Sequence, residues 1–393
     1  MHQIKKKLLF VNGHLNVGGI EKSLLDLLCN LDYTKYDVDL LLLERQGDYI
    51  TQLPSDVRVI FRDTTKIYGS LLHTVVSCIK DRRFSDVVFR LILYFSRFYG
   101  YKIYRRLLPL LHIADYYDCA IAYRVGFSSD IVSYAVKSKK KVCWWHNGEC
   151  NYNVDQIKHI NDSWKNMDYV VSVSNGCRDL IIRNFEFPAD HIKVIPNIVD
   201  VSKINILADN ISPYTDNSNI LKIITVGRLC WEKHIEDIPD IANNLKREGY
   251  DQFKWYIIGD GDKEQEIRDK IAQNHYENQI VLLGKKINPY PYIKFADMLV
   301  HTSYVESQCI TILEAMALKI PCVVCESIGP KDFIKSGVNG ILTKQNVIDM
   351  TSGIIEMIHK IPHSGLLVKK GYETVYNSFS PKIILSYFDS LIN

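Results

Sequence analysis

Ser303 to Cys325 reads SYVESQCITILEAMALKIPCVVC. A short polar loop carries Glu306. A helix is expected over Ile310 to Leu318, with Ile312, Leu313, Met316 and Ala317 on one buried face. Lys319 closes it, and Pro321 cannot continue it. The run CVVC is short and apolar, the composition of a strand buried in a parallel sheet. Glu306 and Glu314 stand on either side of the helix start, one in the loop and one inside the helix. Between them, around Cys309 to Thr311, backbone N–H groups and the positive end of the helix dipole make a phosphate site. Two carboxylates flanking an anion hole match the ribose, diphosphate and hexose of a nucleotide-sugar. Taken alone, the same letters also fit a plain helix with two solvated glutamates. The neighbouring segments decide.

Upstream, LKIITVGRLCWEKHIEDIPDIANNL from Leu221 reads as strand, loop, helix. Arg228 and Lys233 sit in the loop, where a forked and a point cation can clamp a diphosphate. Lys254 to Ile258 is a strand running into GDGDKEQEI. Ile280 to Leu283 is a strand ending at Gly284, followed by the loop Lys285 to Asn288. Ala296 to His301 is the strand that leads into the opening stretch. Downstream, Ser327 to Leu342 holds GPKDF and GVNGIL, and the last helix is expected over Pro381 to Ile392.

The first half repeats the alternation. Leu8 to Val11 is a strand, Asn12 to Gly19 a glycine loop, and Ile20 to Leu31 a helix with an apolar stripe. Gly18 and Gly19 let a backbone come close to a ligand. They do not spell a dinucleotide fingerprint. Further strands are expected at Asp37 to Leu43, Val57 to Phe61, Asp118 to Tyr123, Lys140 to Trp145 and Asp168 to Ser174. His146 lies at a strand's C-terminal end, where open α/β sheets bind ligands. Ser174-Asn175 can cap the helix Gly176 to Phe185. Residues 201–219, rich in Asn, Asp and Ser, read as a linker. Cys143, His146 and Cys150 admit a zinc reading, but no second Cys pair follows at zinc-ribbon spacing. Cys322 and Cys325 are expected as packing thiols.

Five ordered segments resemble the family 4 retaining glycosyltransferases of GT-B fold. They are the Gly18-Gly19 loop with Glu21 and Lys22, Ser172 to Asp200 ending VIPNIVD, Arg228 with Lys233, Glu306 with Glu314, and the GVNG turn. The resemblance covers nearly the whole chain and is clearest over 221–345. It implies an α/β fold of two facing Rossmann-like domains with parallel sheets and a cleft between them. The domains would run 1–200 (acceptor) and 221–375 (nucleotide-sugar), with a linker at 201–220 and a helix at 376–393 crossing back. It implies retaining transfer of a hexosyl group from a nucleotide-diphosphate donor, UDP-hexose or UDP-N-acetylhexosamine, to a glycan or polyprenyl-linked glycan in surface polysaccharide synthesis.

On the same resemblance Glu306, His146, Arg228 and Lys233 are catalytic. The donor is held by Gly18, Gly19, Arg228, Lys233, Gly284, Lys286, Glu306, Ile310, Thr311 and Glu314. Glu314 takes the ribose, and Arg228, Lys233 and the amides of Ile310 and Thr311 take the diphosphate. No metal or cofactor is implied. The chain departs from the family at Gln308-Cys309, where Phe-Gly is usual, and at His234 and Ile198, where glycine is usual. These departures leave a second reading, a catalytically silent GT-B subunit acting as a binding or scaffold protein.

Composition bounds the rest. At 393 residues, two domains are expected. A net charge of +3 gives no argument for nucleic acid. Ten scattered cysteines do not form a disulfide framework and read as reduced thiols of a cytoplasmic protein. No apolar stretch is long enough to span a membrane. Lys80 to Leu111 interleaves eight Arg/Lys with aromatics at helical spacing. It reads either as contact with an anionic membrane at the inner leaflet or as a packed amphipathic helix with solvated charges.

Overall fold

The computed structural model describes residues 4–45, 47–62, 71–80, 115–209, 211–214 and 220–393, with scattered positions between 81 and 114. The chain divides into two units. One holds Met1–Ile195 and Leu385–Asn393, the other Pro196–Ile384.

The first unit is a seven-stranded sheet in the order β3-β2-β1-β4-β5-β6-β7. Its strands are β1 (Lys6–Asn12), β2 (Tyr36–Leu42), β3 (Val57–Phe61), β4 (Tyr116–Ala122), β5 (Lys137–Trp145), β6 (Tyr169–Ser172) and β7 (Ile192–Val194). Every pairing is parallel, with Leu8 opposite both Val38 and Cys119. The first six were expected within a few residues of these limits, whereas β7 was not anticipated as a strand. The helix after β1 covers Gly19–Asn30, and Ser174 caps Asn175–Asn184 by accepting from the Cys177 N–H.

The last helix, Pro381–Ile392, gives Phe388 to this unit, stacked on Phe10 at 6.2 Å and edge-on to Tyr36 at 6.0 Å. Its C-terminal carbonyls receive Lys140 Nζ at 2.6 Å from Leu391 and Lys6 Nζ at 3.3 Å from Ile392. Cations there also complement the helix dipole.

The second unit is a six-stranded parallel sheet in the order β10-β9-β8-β11-β12-β13. The strands are β8 (Leu221–Val226), β9 (Phe253–Ile258), β10 (Ile280–Gly284), β11 (Met298–His301), β12 (Cys322–Cys325) and β13 (Ile341–Thr343). Successive side chains of a strand point to opposite faces. Cys322 and Val324 therefore join one core and Val323 and Cys325 the other. The sheet is buried on both faces, which is why CVVC carries no alternation.

The described part of 201–220 is not a free linker. Val201–Leu207 is a helix, and Val201, Ile204, Ala208 and Tyr214 are buried in the second unit's core. Ser202, Asn205, Asp209 and Ser212 are exposed. Most of Lys80 to Leu111, with its membrane reading, lies outside the described residues. Among the described residues no helix is long and apolar enough to cross a membrane.

Candidate functional site

In both sheets the strand order reverses beside the first strand, between β1 and β4 and between β8 and β11. Ligands of open α/β sheets bind outside the carboxyl ends at such a switch point. In the second unit the loops after β8 and β11 meet there.

Lys233 donates to Glu306 Oε1, and His301 Nε2 lies 2.7 Å from the same oxygen. A carboxylate can only accept, so the His301 hydrogen is on Nε2; Nδ1 is buried without a partner. Cys309 Sγ lies 3.3 Å from His301 Nε2. Burial pushes the Glu306 carboxyl up, but the Lys233 ammonium and the hydrogen bonds from His301 and Lys233 outweigh it and hold it well below the usual carboxylate range. Burial likewise works against the Lys233 charge, and Glu306 overcomes it and holds the ammonium above its ordinary value. Glu306 Oε2 receives no hydrogen bond among the described residues.

The two loops are tied along their backbones. Thr302 Oγ1 donates to Lys233 O at 2.7 Å, Ser303 Oγ to Glu232 O at 2.9 Å, and Tyr304 N to Glu232 O at 3.1 Å. From the far side the glycine loop after β9 seats on the loop after β8. A Cβ on Gly259 would stand 1.8 Å from Gly227 O, and one on Gly261 2.2 Å from Leu229 O.

Glu314 is buried and accepts from the Tyr290 hydroxyl at 2.7 Å. Ile310 and Thr311 open the helix Ile310–Ala317, whose N-cap, Cys309, makes no side-chain cap bond. Their N–H groups have no intrahelical acceptor. Arg228 is exposed, with no ion pair among the described residues. Gly284 ends β10 at a register shift with φ +69°, and Lys286 lies over the Tyr292 ring at 6.0 Å.

The two glycine departures of this unit have a common cause. Cys309 has φ +64° and His234 φ +48°. Both are left-handed positions that glycine occupies without strain. His234 gains a face-to-face stack on Tyr304 at 3.6 Å, and Cys309 its contact with His301. Ile198 is a different case: it is absent from the left-handed residues and is buried. Gln308 Oε1 accepts from the Asn197 backbone at 2.8 Å, tying the opening stretch to the VIPNIVD segment.

In the first unit Gly18 is the extended N-cap of the helix that Gly19 begins. Glu21 is buried, with Oε1 3.6 Å from His14 Nδ1 and 3.7 Å from Arg124 Nη1, and that oxygen has no hydrogen-bond partner among the described residues. His146 packs on Tyr123, ring centres 5.0 Å apart, and its Nε2 is buried without a partner. Burial and the Arg124 guanidinium push the His146 imidazole down to about 3, against a hydrogen bond to the Tyr123 backbone. The residue is neutral at pH 7.

Of the expected site residues, the structure brings Glu306 and Lys233 into direct contact. Gly18, Gly19 and His146 lie at the switch point of the first unit. His301, Tyr290, Tyr304 and Arg124 were not anticipated. His301 had one signal, a histidine closing a strand five residues before Glu306. The tyrosines had none, because their contacts come from other elements. The Cys143–His146–Cys150 zinc reading does not form. Among the described residues the metal-capable group of three is His301, Glu306 and Cys309, and Cys143 is sealed within the sheet.

A family model described as Glycosyltransferase Family 4 matches residues 17–203, and one described as Glycosyl transferases group 1 matches 210–374. The lipopolysaccharide 1,6-galactosyltransferase of Salmonella typhimurium is 28% identical over 56% of this chain and 61% of its own length. The poly(ribitol-phosphate) alpha-N-acetylglucosaminyltransferase of Staphylococcus aureus is 26% identical over 43% of this chain and 34% of its own. The matched stretch spans 44% to 61% of the first three curated relatives.

Among solved structures, Anabaena HepE in complex with UDP and glucose superposes with a TM-score of 0.75 at 17% identity, covering 98% of this chain and 99% of that one. Staphylococcus aureus TarM superposes at 0.74 and 15%, covering 99% of both. At these identities the likeness is one of fold.

Proposed function

The chain belongs to the family 4 glycosyltransferases of GT-B fold, and from that premise we propose that it is a retaining, metal-independent hexosyltransferase. Its donor is a UDP-hexose or UDP-N-acetylhexosamine. Its acceptor is a glycan or lipid-linked glycan in surface polysaccharide synthesis, reached from the cytoplasmic face of a membrane. The relatives named for lipopolysaccharide and poly(ribitol-phosphate) transfer, and the neighbours bound to UDP, support this reading.

The observation that carries it is the buried Lys233–Glu306 pair beside an uncapped helix start, with Glu314 further along that helix. Glu314, held by Tyr290, accepts the ribose hydroxyls. Arg228, Lys233 and the Ile310 and Thr311 amides take the diphosphate and stabilise the charge that develops on it as the glycosidic bond breaks. Fixed cations and amides do this without reorganising, so the clamp asks for no metal. Glu306 Oε1 is committed to Lys233 and His301, and Oε2 is left for hydroxyls of the donor sugar. His146, neutral and with a bare buried nitrogen, holds a sugar hydroxyl on the first unit.

Retention follows a front-face route, in which the leaving phosphate takes the acceptor hydroxyl's proton. Glu306 is already saturated on one oxygen and held ionised by a lysine, a poor arrangement for a covalent nucleophile.

Calorimetric titration with UDP, GDP and ADP, with and without EDTA, tests the donor side. Metal-independent binding of UDP alone is expected; binding of none of the three overturns the proposal in favour of a silent subunit. The anomeric configuration of the product, read by NMR, tests retention.

A further inference from the structure

Cys309 stands where the family usually has glycine, and its thiol completes a set of three different ligand types. His301 Nε2, Glu306 Oε1 and Cys309 Sγ all lie within 4.8 Å of one another, and all three residues are buried. They come from one nine-residue segment, so no other element has to move to bring them closer. Bond lengths of about 2.0–2.3 Å to a tetrahedral zinc ion separate such atoms by about 3.4 Å (N to O) and 3.6 Å (N to S). Here the separations are 2.7 and 3.3 Å. The atoms are closed on one another by a hydrogen bond, about 0.7 Å (N to O) and about 0.3 Å (N to S) inside coordination geometry. The fourth neighbour is the Lys233 ammonium, on the same Glu306 oxygen.

We propose that these residues form a latent site for a thiophilic divalent cation, zinc or cadmium, which Lys233 holds shut. Imidazole and thiolate favour zinc and cadmium over magnesium or calcium. Entry of the metal displaces the Cys309 thiol proton to solvent, moves the His301 hydrogen from Nε2 to Nδ1, and exchanges the Lys233 ammonium for M²⁺ at Glu306 Oε1. Lysine and metal cannot share that oxygen, so the two states exclude each other. The metal claim stands without the proposed function. Only its consequence rests on that reading: a metal in place would remove Lys233 and Glu306 from the donor clamp, so zinc would inhibit where EDTA has no effect.

The test uses the full chain and the metals alone, in a Cys29→Ser/Cys150→Ser background that removes the exposed and half-buried thiols. Cadmium should bind with one equivalent showing thiolate-to-cadmium charge-transfer absorbance. Cys309→Gly, which suits the left-handed backbone, should abolish that band, and His301→Asn should weaken binding at least tenfold. Lys233→Met should tighten zinc and cadmium at least tenfold, and zinc should raise its melting temperature more than that of the parent. An ordinary thiol site would not respond to loss of a lysine. The proposal is overturned if no equivalent binds, if the band survives Cys309→Gly, or if Lys233→Met leaves metal affinity unchanged or weaker. UDP titration of the same samples reports separately on the donor reading.

Discussion

The two switch points are built from the same strand order and tied together differently. In the second unit the loops after β8 and β11 are closed. Glu306 is paired, Thr302, Ser303 and Tyr304 tie the backbones, and the Gly259–Gly261 loop is wedged behind. In the first unit the corresponding ends lack such a tie: His14 and Arg124 stop short of Glu21 at 3.6 and 3.7 Å. Among the described residues both sites hold buried polar atoms without partners, Asn12 Oδ1, Glu21 Oε1 and His146 Nε2 in the first unit and Glu232 Oε2, His301 Nδ1 and Gln308 Nε2 in the second. A closed site costs little to reorganise and suits a ligand whose shape does not change, such as a nucleoside diphosphate. Unpartnered buried groups cost free energy until something meets them.

The largest effect should come from breaking the closed side. Lys233→Met leaves Glu306 buried and uncompensated, and denaturant unfolding should show a loss of about 3 kcal/mol or more. Lys233→Met with Glu306→Gln should recover most of that stability and none of the transfer rate. If the double variant is no more stable than the single, the pair is not what holds the loops.

Next are the ligand contacts. Glu314→Ala and Arg228→Ala should each weaken UDP binding about tenfold or more, since a hydrogen bond to a charged group contributes about 1.5–3 kcal/mol. Glu306→Gln should lower transfer more than UDP affinity. Unchanged UDP affinity in both of the first two variants would remove the donor site from this loop pair. On the open side, His146→Ala should lower transfer with UDP affinity unchanged; a matching loss of UDP affinity would erase the contrast.

The units should also differ in acid. Glu306 has a folded pKa below its ordinary 4.5, so its contribution is present above that pH and is lost as pH falls below it. His146 is depressed from 6.5 to about 3, so between those values the unfolded chain binds the proton that the folded one refuses. Stability therefore falls as pH drops below about 6.5, and His146→Gln should flatten that window and leave the lower one in place. The smallest effect is expected for His234→Gly. It relieves a left-handed backbone but loses the Tyr304 stack, and should change stability by under about 1 kcal/mol in either direction.

Much of this architecture could be read from the letters. Short apolar runs such as LLFV and CVVC, bounded by turn residues, have the composition of strands covered on both faces, and glycine, proline and capping serine mark where they stop. The glutamate pair and the two cations were legible because they lie in short loops fixed by those strands. What could not be read is what comes from the side. Nothing near Glu306 in sequence announces that Lys233 meets its oxygen, or that Tyr290 reaches Glu314. The segment 201–220 misled because composition averages over its faces. Its buried Val201, Ile204, Ala208 and Tyr214 are interspersed with the exposed polar Ser202, Asn205, Asp209 and Ser212. The glycine departures looked like defects, and only the dihedral angles show that His234 and Cys309 adopt the backbone that glycine would.

The wedge behind the second site has a consequence for anyone who surveys this chain by saturation mutagenesis. Gly259 and Gly261 face the backbone of Gly227 and Leu229 with no room for a methyl group. In a library sorted by growth they would score as intolerant as Arg228. A parallel sort on cellular abundance would separate them: Arg228→Ala protein, altered at an exposed side chain, should accumulate and fail, whereas any side chain at Gly259 should thin the pool before turnover is ever asked of it.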